Sequence, residues 1–166
     1  VGSEMCIRDR VKVEALEGHE SVIRGLRARG IPIMGHVGLL PQTVTQADEY
    51  RVQGRGAAGA EVLAGARAFQ EAGAFAVVLE CIPTELGREV TRALQVPTIG
   101  IGAGPHTDGQ ILVIHDLAGL SPGPHPRFVR IFADAGRTLT EAVEAYAAAV
   151  QEGRFPLEEE LSLIHI

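Results

Sequence analysis

The stretch Ala76-Val77-Val78-Leu79-Glu80 is the most informative part of this sequence. Its short β-branched and aliphatic run is typical of a strand buried on both faces. Glu80 ends that run, directly before the turn-forming residues Cys81-Ile82-Pro83. A buried carboxylate is costly unless it has a use, and in a barrel of alternating strands and helices the carboxyl ends of the strands carry the active site. The pattern therefore predicts either a catalytic base or a cap on the next helix.

The same arrangement recurs along the chain. Further strands are predicted over 11–14, 31–36, 97–102 and 110–116, and helices over 17–29, 57–72, 84–94, 128–135 and 139–151. Strands that alternate with helices form βαβ units around a parallel sheet. Because four of the five strands end on or beside a polar side chain, we predict an α/β fold whose functional residues share one edge.

Length and composition indicate one globular domain. The chain has 166 residues, of which 46% are hydrophobic and 22% charged. Its formal charge of −6, without a Lys/Arg cluster, argues against a nucleic-acid partner. No apolar run reaches the roughly 18 residues that span a membrane, so no membrane partner is expected. Two cysteines cannot form a disulfide framework, which favours a reducing, cytoplasmic compartment.

Two other patterns are candidate binding sites. Cysteine and histidine spacing matches no zinc motif, and we interpret His106, His115 and His125 as hydrogen-bonded loop residues. The run Gly100-Ile101-Gly102-Ala103-Gly104 resembles a dinucleotide loop, but G-x-G-x-x-G requires glycine where Pro105 stands. These glycines instead indicate close approach to a ligand or a tight turn.

The two ends of the chain differ from its middle. Residues 1–10 (VGSEMCIRDR) have no strand or helix period, and 161–166 (LSLIHI) form an apolar tail. Neither end has the regions of a signal peptide, and both resemble translated sequencing-adapter read-through. We therefore expect a non-native leader over 1–10, a barrel domain over 11–160 and a non-native tail over 161–166.

Four segments, in order, resemble a single family. They are GIPIMGHVGLLPQTV (30–44), YRVQGRG (50–56), EAGAFAVVLECIP (71–83) and PTIGIGAGPHTDGQILVIHDLAGL (97–120). Together they are similar to ketopantoate hydroxymethyltransferase, also called 3-methyl-2-oxobutanoate hydroxymethyltransferase, over essentially all of 11–160. The resemblance implies a partial (β/α)8 TIM barrel that holds about strands 4–8, with the N-terminal strands missing.

The resemblance also implies a reaction. The family moves a hydroxymethyl group from 5,10-methylenetetrahydrofolate to 3-methyl-2-oxobutanoate and forms 2-dehydropantoate (ketopantoate) for pantothenate biosynthesis. A base must remove the proton at C3, and Mg²⁺ bound by the keto acid stabilises the enolate. The implied partners are the keto acid and the folate, and the full-length protein is expected to be a homo-oligomer.

Site residues follow from the same resemblance. Glu80 matches the family's proton acceptor, Lys12 its keto-acid contact and Glu14 its metal-associated carboxylate. Lys12 and Glu14 share one side of a strand because side chains alternate with period two; otherwise they are a solvated pair. His36 falls at an active-site position, where it either hydrogen-bonds substrate, orients Glu80 or is structural.

Three departures from the family pattern bear on activity. Ala15-Leu16 replaces a usual glycine pair, and Ala47-Asp48-Glu49 replaces a Phe-Gly-Gly-like turn. The family's aspartate metal ligands lie on strands that precede residue 11. Because a complete barrel takes about 200 to 250 residues and open strand edges promote aggregation, we expect the isolated chain to be inactive and poorly soluble.

Two alternative functions stay open. A Mg²⁺-dependent carbon–carbon lyase or mutase of the phosphoenolpyruvate mutase and isocitrate lyase type shares the barrel and the metal-bound enolate. That type is expected to carry a nucleophilic cysteine on a lid loop, whereas Cys81 follows Glu80 inside a turn. The other alternative is a non-enzymatic half-barrel, which needs a partner chain to cover both open edges.

Overall fold

The computed structural model describes residues 10–14, 18–41 and 51–161. The chain divides into two compact units, one up to Ile111 and one from Leu112 onward. The first unit contains β1 (Val11–Glu14), α1 (Glu20–Ala28), β2 (Ile33–Gly38), α2 (Gly59–Glu71), β3 (Ala76–Glu80), α3 (Thr84–Ala93), β4 (Thr98–Ile101) and β5 (Gly109–Gln110). The second contains α4 (Ile114–Leu117) and α5 (Ala135–Gln151). Single 3₁₀ turns lie at Gly56–Ala58 and Glu158–Glu160.

The strands of the first unit form one parallel sheet in the order β1-β2-β3-β4-β5. Consecutive strands are neighbours, as expected for βαβ units. The predicted α/β class and parallel sheet are therefore confirmed. Five parallel strands are compatible with part of a (β/α)8 barrel, although their numbers within such a barrel do not follow from the sheet.

One face of the sheet packs against the helices. Its strand residues and the helix residues opposite form a single buried apolar cluster, which includes Ile33, Val37, Val77, Leu79, Ala66, Phe69, Leu86 and Val90. Alternate residues along a strand point to opposite faces. The apolar residues of β2 and β3 in this cluster point toward the helices, so the residues that alternate with them point to the other face of the sheet.

That other face carries the polar side chains. The register pairs Glu14 with His36 and His36 with Val78, so these three residues point the same way. Glu80 lies two residues beyond Val78 and shares their direction, as does Lys12 two residues before Glu14. The helices thus cover one side while the candidate site residues occupy the opposite side.

The predicted strand over 110–116 is wrong beyond Gln110. Ile111 still donates its N–H to the Gly100 carbonyl at 3.0 Å, but α4 begins three residues later. Val113 and Ile114 are 49% and 63% exposed. An apolar run becomes a strand only where neighbouring residues pair with it and bury it, and in the described part of the chain this run has no such neighbour.

The predicted helix over 128–135 is also wrong. The Phe132 N–H donates to the Leu117 carbonyl at 2.9 Å, so the backbone pairs with an earlier part of the second unit instead of with its own preceding turn. Helix α5 begins at Ala135 and includes the predicted 139–151. Within the described ranges, no helix is long and apolar enough to cross a membrane.

Candidate active site

The carboxyl ends of three adjacent strands bring the predicted site residues together. Glu14 and Glu80 are the last residues of β1 and β3, and His36 lies between them near the end of β2. The His36 side chain is fully buried, and both carboxylates are 14% exposed. Lys12 is more open, with 46% of its side chain exposed. All four side chains that the sequence singled out therefore belong to one cluster.

A continuous chain of polar contacts runs through this cluster. The Lys12 Nζ donates to Glu14 Oε1 at 3.3 Å and lies 3.1 Å from His36 Nδ1. On the other side of the imidazole, His36 Nε2 lies 3.2 Å from Glu80 Oε2. Glu14 Oε1 is also 3.6 Å from His36 Nδ1, which is too long for a hydrogen bond. The imidazole therefore links the lysine to the predicted base.

The contact between His36 and Glu80 is close but incomplete. Although the two atoms are 3.2 Å apart, the buried Nε2 has no partner in hydrogen-bonding alignment. Distance and alignment thus disagree, and alignment decides whether a hydrogen bond is formed. The pair is therefore a close polar contact and not a hydrogen bond.

Backbone hydrogen bonds hold Glu80 in place. The Glu80 carbonyl accepts from the Leu39 N–H at 2.9 Å, and the Cys81 N–H donates to the Ile101 carbonyl at 2.9 Å. The Cys81 carbonyl accepts from the Gln53 N–H at 2.8 Å. Strand β3 is therefore tied at its end to both neighbouring strands and to the segment that precedes α2.

Two residues beside Glu80 matter for reasons that the sequence did not reveal. Gly38 has φ +97°, and a Cβ atom there would lie 2.2 Å from the Glu80 carbonyl oxygen. Cys81 has φ +51°, a conformation that residues with side chains seldom adopt. Gly38 could have been noticed from the sequence because it is a glycine at the end of an apolar run. No local sequence pattern marks Cys81.

The Cys81 thiol is poorly suited to act as a nucleophile. Burial raises its pKa, and the nearby Glu80 carboxylate raises it further, while the Arg55 guanidinium lowers it in part. A thiolate is the reactive form of cysteine, so a raised pKa weakens the nucleophile at neutral pH. This environment disfavours the cysteine-dependent lyase alternative. Cys6 lies outside the described residues.

Sequence comparison assigns the family. The family model described as ketopantoate hydroxymethyltransferase matches residues 4–158. This chain belongs to the ketopantoate hydroxymethyltransferase family. The resemblance seen in the four sequence segments is therefore confirmed over nearly the whole chain.

Curated relatives agree with this assignment. A 3-methyl-2-oxobutanoate hydroxymethyltransferase of Thermus thermophilus is 52% identical over 152 residues, which cover 91% of this chain and 58% of that protein. Proteins of the same name from Trichlorobacter lovleyi and Mycobacterium ulcerans are 49% and 51% identical, with 57% and 50% of their lengths covered. The chain thus spans about half the length of these relatives, and it matches their C-terminal part.

The Mg²⁺ that the family resemblance implies is not accommodated by the described residues alone. They contain no group of three or more His, Cys, Asp or Glu side chains able to hold a metal ion. Glu14 offers a single carboxylate, and the Lys12 ammonium already lies 3.3 Å from its Oε1. Mg²⁺ requires a near-octahedral set of oxygen ligands. Glu14 therefore accounts for one ligand at most.

Other sequence features lie on other parts of the chain. His106 Nε2 lies 2.5 Å from an Arg88 guanidinium nitrogen, and His125 lies in a loop of the second unit. His115 lies on α4, so its prediction as a loop residue is wrong. Gly104 has φ +80° and closes a turn against Thr84, whose side chain would lie 2.6 Å from an added Cβ atom. The tight-turn interpretation of the glycine run is thereby supported.

A cavity of about 550 Å³ lies between β2 and α2. Its lining includes His36, Gln53, Glu61 and Phe69, but neither Glu14 nor Glu80 contributes to it. We therefore do not assign it as the place where the reacting carbon binds. The two loop departures, Ala15-Leu16 and Ala47-Asp48-Glu49, lie outside the described residues.

Proposed function

We propose that this chain acts in hydroxymethyl transfer from 5,10-methylenetetrahydrofolate to 3-methyl-2-oxobutanoate, which forms 2-dehydropantoate for pantothenate biosynthesis. The observation that carries the proposal is the position of Glu80 at the end of β3, 3.2 Å from a fully buried histidine. Curated relatives about 50% identical to this chain bear the name of that enzyme.

Glu80 is the proposed base. Its carboxylate removes the proton at C3 of the keto acid, and the resulting enolate carbon forms the new bond to the one-carbon unit of the folate. Both C–N bonds of that unit break, water supplies the hydroxyl oxygen, and tetrahydrofolate leaves with its two nitrogens protonated by the C3 proton and by the remaining proton of water. A positioned general base contributes about 10² to 10⁴ in rate. Lys12 is proposed to contact the substrate carboxylate, because a compact ammonium suits an anion and this side chain is 46% exposed.

The remaining parts of the proposal rest on the family resemblance. Glu14 is the residue of this chain assigned beside Mg²⁺, and the aspartate ligands are assigned to strands that precede residue 11. A cytoplasmic enzyme that is a homo-oligomer at full length belongs to the same proposal. His36 is assigned to the active site, and its contacts with Lys12 and Glu80 favour a positioning role.

A chimera tests this function. Residues 11–160 replace the matching C-terminal part of the Thermus thermophilus relative, and exchange of the C3 proton of 3-methyl-2-oxobutanoate into D₂O is followed by NMR with Mg²⁺ present. Glu80→Gln is expected to slow this exchange by about 10² to 10⁴. The matched control Glu89→Gln alters an exposed carboxylate on α3 and should leave the rate unchanged.

Three results would contradict parts of this proposal. A folded chimera without hydroxymethyl transfer would contradict the function itself. Unchanged proton exchange in Glu80→Gln would contradict the base assignment alone. Loss of turnover in Cys81→Ala, with Glu80→Gln still active, would favour the cysteine-dependent lyase alternative.

A further inference from the structure

The contacts on the two nitrogens of His36 determine where its proton lies. His36 is fully buried, so solvent does not reach either nitrogen. A neutral imidazole carries one N–H donor and one acceptor nitrogen, and its neighbours decide which nitrogen has the hydrogen. Lys12 faces one nitrogen and Glu80 faces the other.

The lysine side of the ring requires an acceptor. The Lys12 Nζ lies 3.1 Å from His36 Nδ1, and an ammonium group has three donors and no acceptor. An N–H on Nδ1 would point its hydrogen at those of the ammonium group. Nδ1 must therefore accept the hydrogen bond, which leaves the ring proton on Nε2.

The glutamate side of the ring requires a donor. His36 Nε2 lies 3.2 Å from Glu80 Oε2, and an ionised carboxylate only accepts hydrogen bonds. With the proton on Nδ1, two lone pairs would face each other at this distance in a buried site. This second contact favours the same tautomer, but its atoms are not aligned as a hydrogen bond, so Lys12 makes the deciding contact.

One neighbour opposes this choice. Glu14 Oε1 is 3.6 Å from His36 Nδ1 and would favour a proton there. That distance exceeds a hydrogen bond, and the same oxygen already accepts from Lys12 at 3.3 Å. The shorter, charge-assisted contact of Lys12 with Nδ1 therefore prevails.

We propose that Lys12 holds His36 in its Nε2–H tautomer and thereby presents an N–H donor to the Glu80 carboxylate. Lys12 and His36 are then positioning residues for Glu80, in addition to the substrate contact proposed for Lys12. The importance of this arrangement for catalysis rests on the proposed function, whereas the tautomer itself does not.

The test is ¹⁵N magic-angle-spinning NMR of the full 166-residue chain labelled at histidine, which is not limited by particle size. The five other histidines are replaced by glutamine, so every ring signal belongs to His36, and the same signals must also occur in the unmutated chain. Two signals are expected, a protonated Nε2 and an unprotonated Nδ1, with about a tenfold or greater excess over the other tautomer.

Two substitutions separate the role of Lys12 from general packing. Lys12→Met removes the donor and leaves Glu14 Oε1 as the nearest charged neighbour of Nδ1, so the Nδ1–H population should rise about tenfold. Lys12→Arg supplies a different group that only donates and should restore the Nε2–H signals. A merely structural role of Lys12 would leave the tautomer ratio unchanged in both variants.

The proposal is overturned by a predominant Nδ1–H tautomer, by a ring protonated on both nitrogens, or by an exchanging mixture like that of free imidazole. It is equally overturned if Lys12→Met keeps the original ratio. None of these readouts depends on turnover. Failure of the tautomer proposal is therefore distinguishable from failure of the proposed enzymatic function, which the chimera tests.

Discussion

At the scale of single residues, Glu80 and Cys81 show how one peptide segment serves two purposes. Glu80 faces the polar side of the sheet, while the next residue turns the chain with φ +51°. The Cys81 N–H and carbonyl are both hydrogen-bonded to neighbouring segments. A backbone held from both directions keeps the Glu80 carboxylate beside His36, as a positioned base requires.

The reactivity of the Cys81 thiol is a first prediction. Because its pKa is raised by burial and by Glu80, its thiolate forms at higher pH than that of an ordinary thiol. In a Cys6→Ser background at about pH 8, iodoacetamide should modify the folded chain at least about tenfold more slowly than the chain in urea. Mass spectrometry measures both rates, and equal rates would contradict the buried, protonated thiol.

At the scale of secondary-structure elements, contact between β2 and α2 depends on Gly35. A Cβ atom there would lie 2.4 Å from the Phe69 ring, and Phe69 is fully buried. Gly35→Ala should therefore lower the free energy of unfolding by about 1 to 3 kcal/mol. Urea titration of the chain, followed by circular dichroism, measures the change.

A second glycine provides the matched control. Gly25 lies within α1, and a Cβ atom there would meet only an Arg29 guanidinium nitrogen, at 3.7 Å. Gly25→Ala should raise the free energy of unfolding by about 0.5 to 1 kcal/mol, because alanine favours a helix. If both substitutions had the same effect, the close contact of Gly35 with Phe69 would not be the cause.

The start of α5 is predicted to be sensitive to acid. The Asp134 carboxylate accepts hydrogen bonds from the Arg137 guanidinium and, more weakly, from the Arg137 backbone N–H, and both lower its pKa. Because the pKa of Asp134 is lower in the folded chain, its charge stabilises the cap fully at pH values above the ordinary pKa of aspartate. This stabilisation is lost as the pH falls through the lowered pKa of the folded state. Hydrogen-exchange measurements should therefore show less protection of the first amides of α5 as the pH is lowered from the ordinary pKa of aspartate through the lowered pKa of Asp134.

Substitutions at Asp134 distinguish charge from capping. Asp134→Asn retains a side-chain acceptor suited to a helix N-cap but does not titrate, so the acid-dependent change should disappear while protection at neutral pH largely persists. Asp134→Ala should reduce protection throughout. An unaltered acid response in Asp134→Asn would show that another group causes it.

At the scale of the whole molecule, the described surfaces predict self-association of the isolated chain. β1 pairs only with β2 among the described strands, so within the described residues its other edge has no strand beside it. On α5, Leu139, Val143 and Tyr146 follow helical spacing and are 55%, 64% and 57% exposed. Each of these surfaces is a site at which copies of the chain can associate.

Sedimentation velocity and a turnover assay test this prediction. The purified 166-residue chain should form species larger than a monomer in a concentration-dependent manner and show no Mg²⁺-dependent hydroxymethyl transfer. Val143→Lys should reduce association because it places a charge within the apolar stripe of α5. A monomeric chain with sustained turnover would refute both expectations.

The sequence alone was sufficient to predict most elements of the fold. Alternating apolar runs and helical patterns predicted five strands in order, and the predicted run that ends at Glu80 coincides with β3, Ala76–Glu80. Period two predicted that Lys12 and Glu14 share a face, which the register confirms. These features depend on neighbouring residues, so local propensity and periodicity carry enough information to specify them.

Tertiary structure decided what depends on residues distant in the chain. Residues 110–116 have the composition of a strand, yet their described surroundings neither pair with nor bury them beyond Ile111. The contact between Lys12 and His36 joins residues 24 positions apart, and no local pattern reveals which imidazole nitrogen faces the ammonium. The sequence alone thus determined the strand order and the carboxylate at a strand end. Packing decided the geometry of the site, because burial and hydrogen-bond direction arise only when separate segments meet.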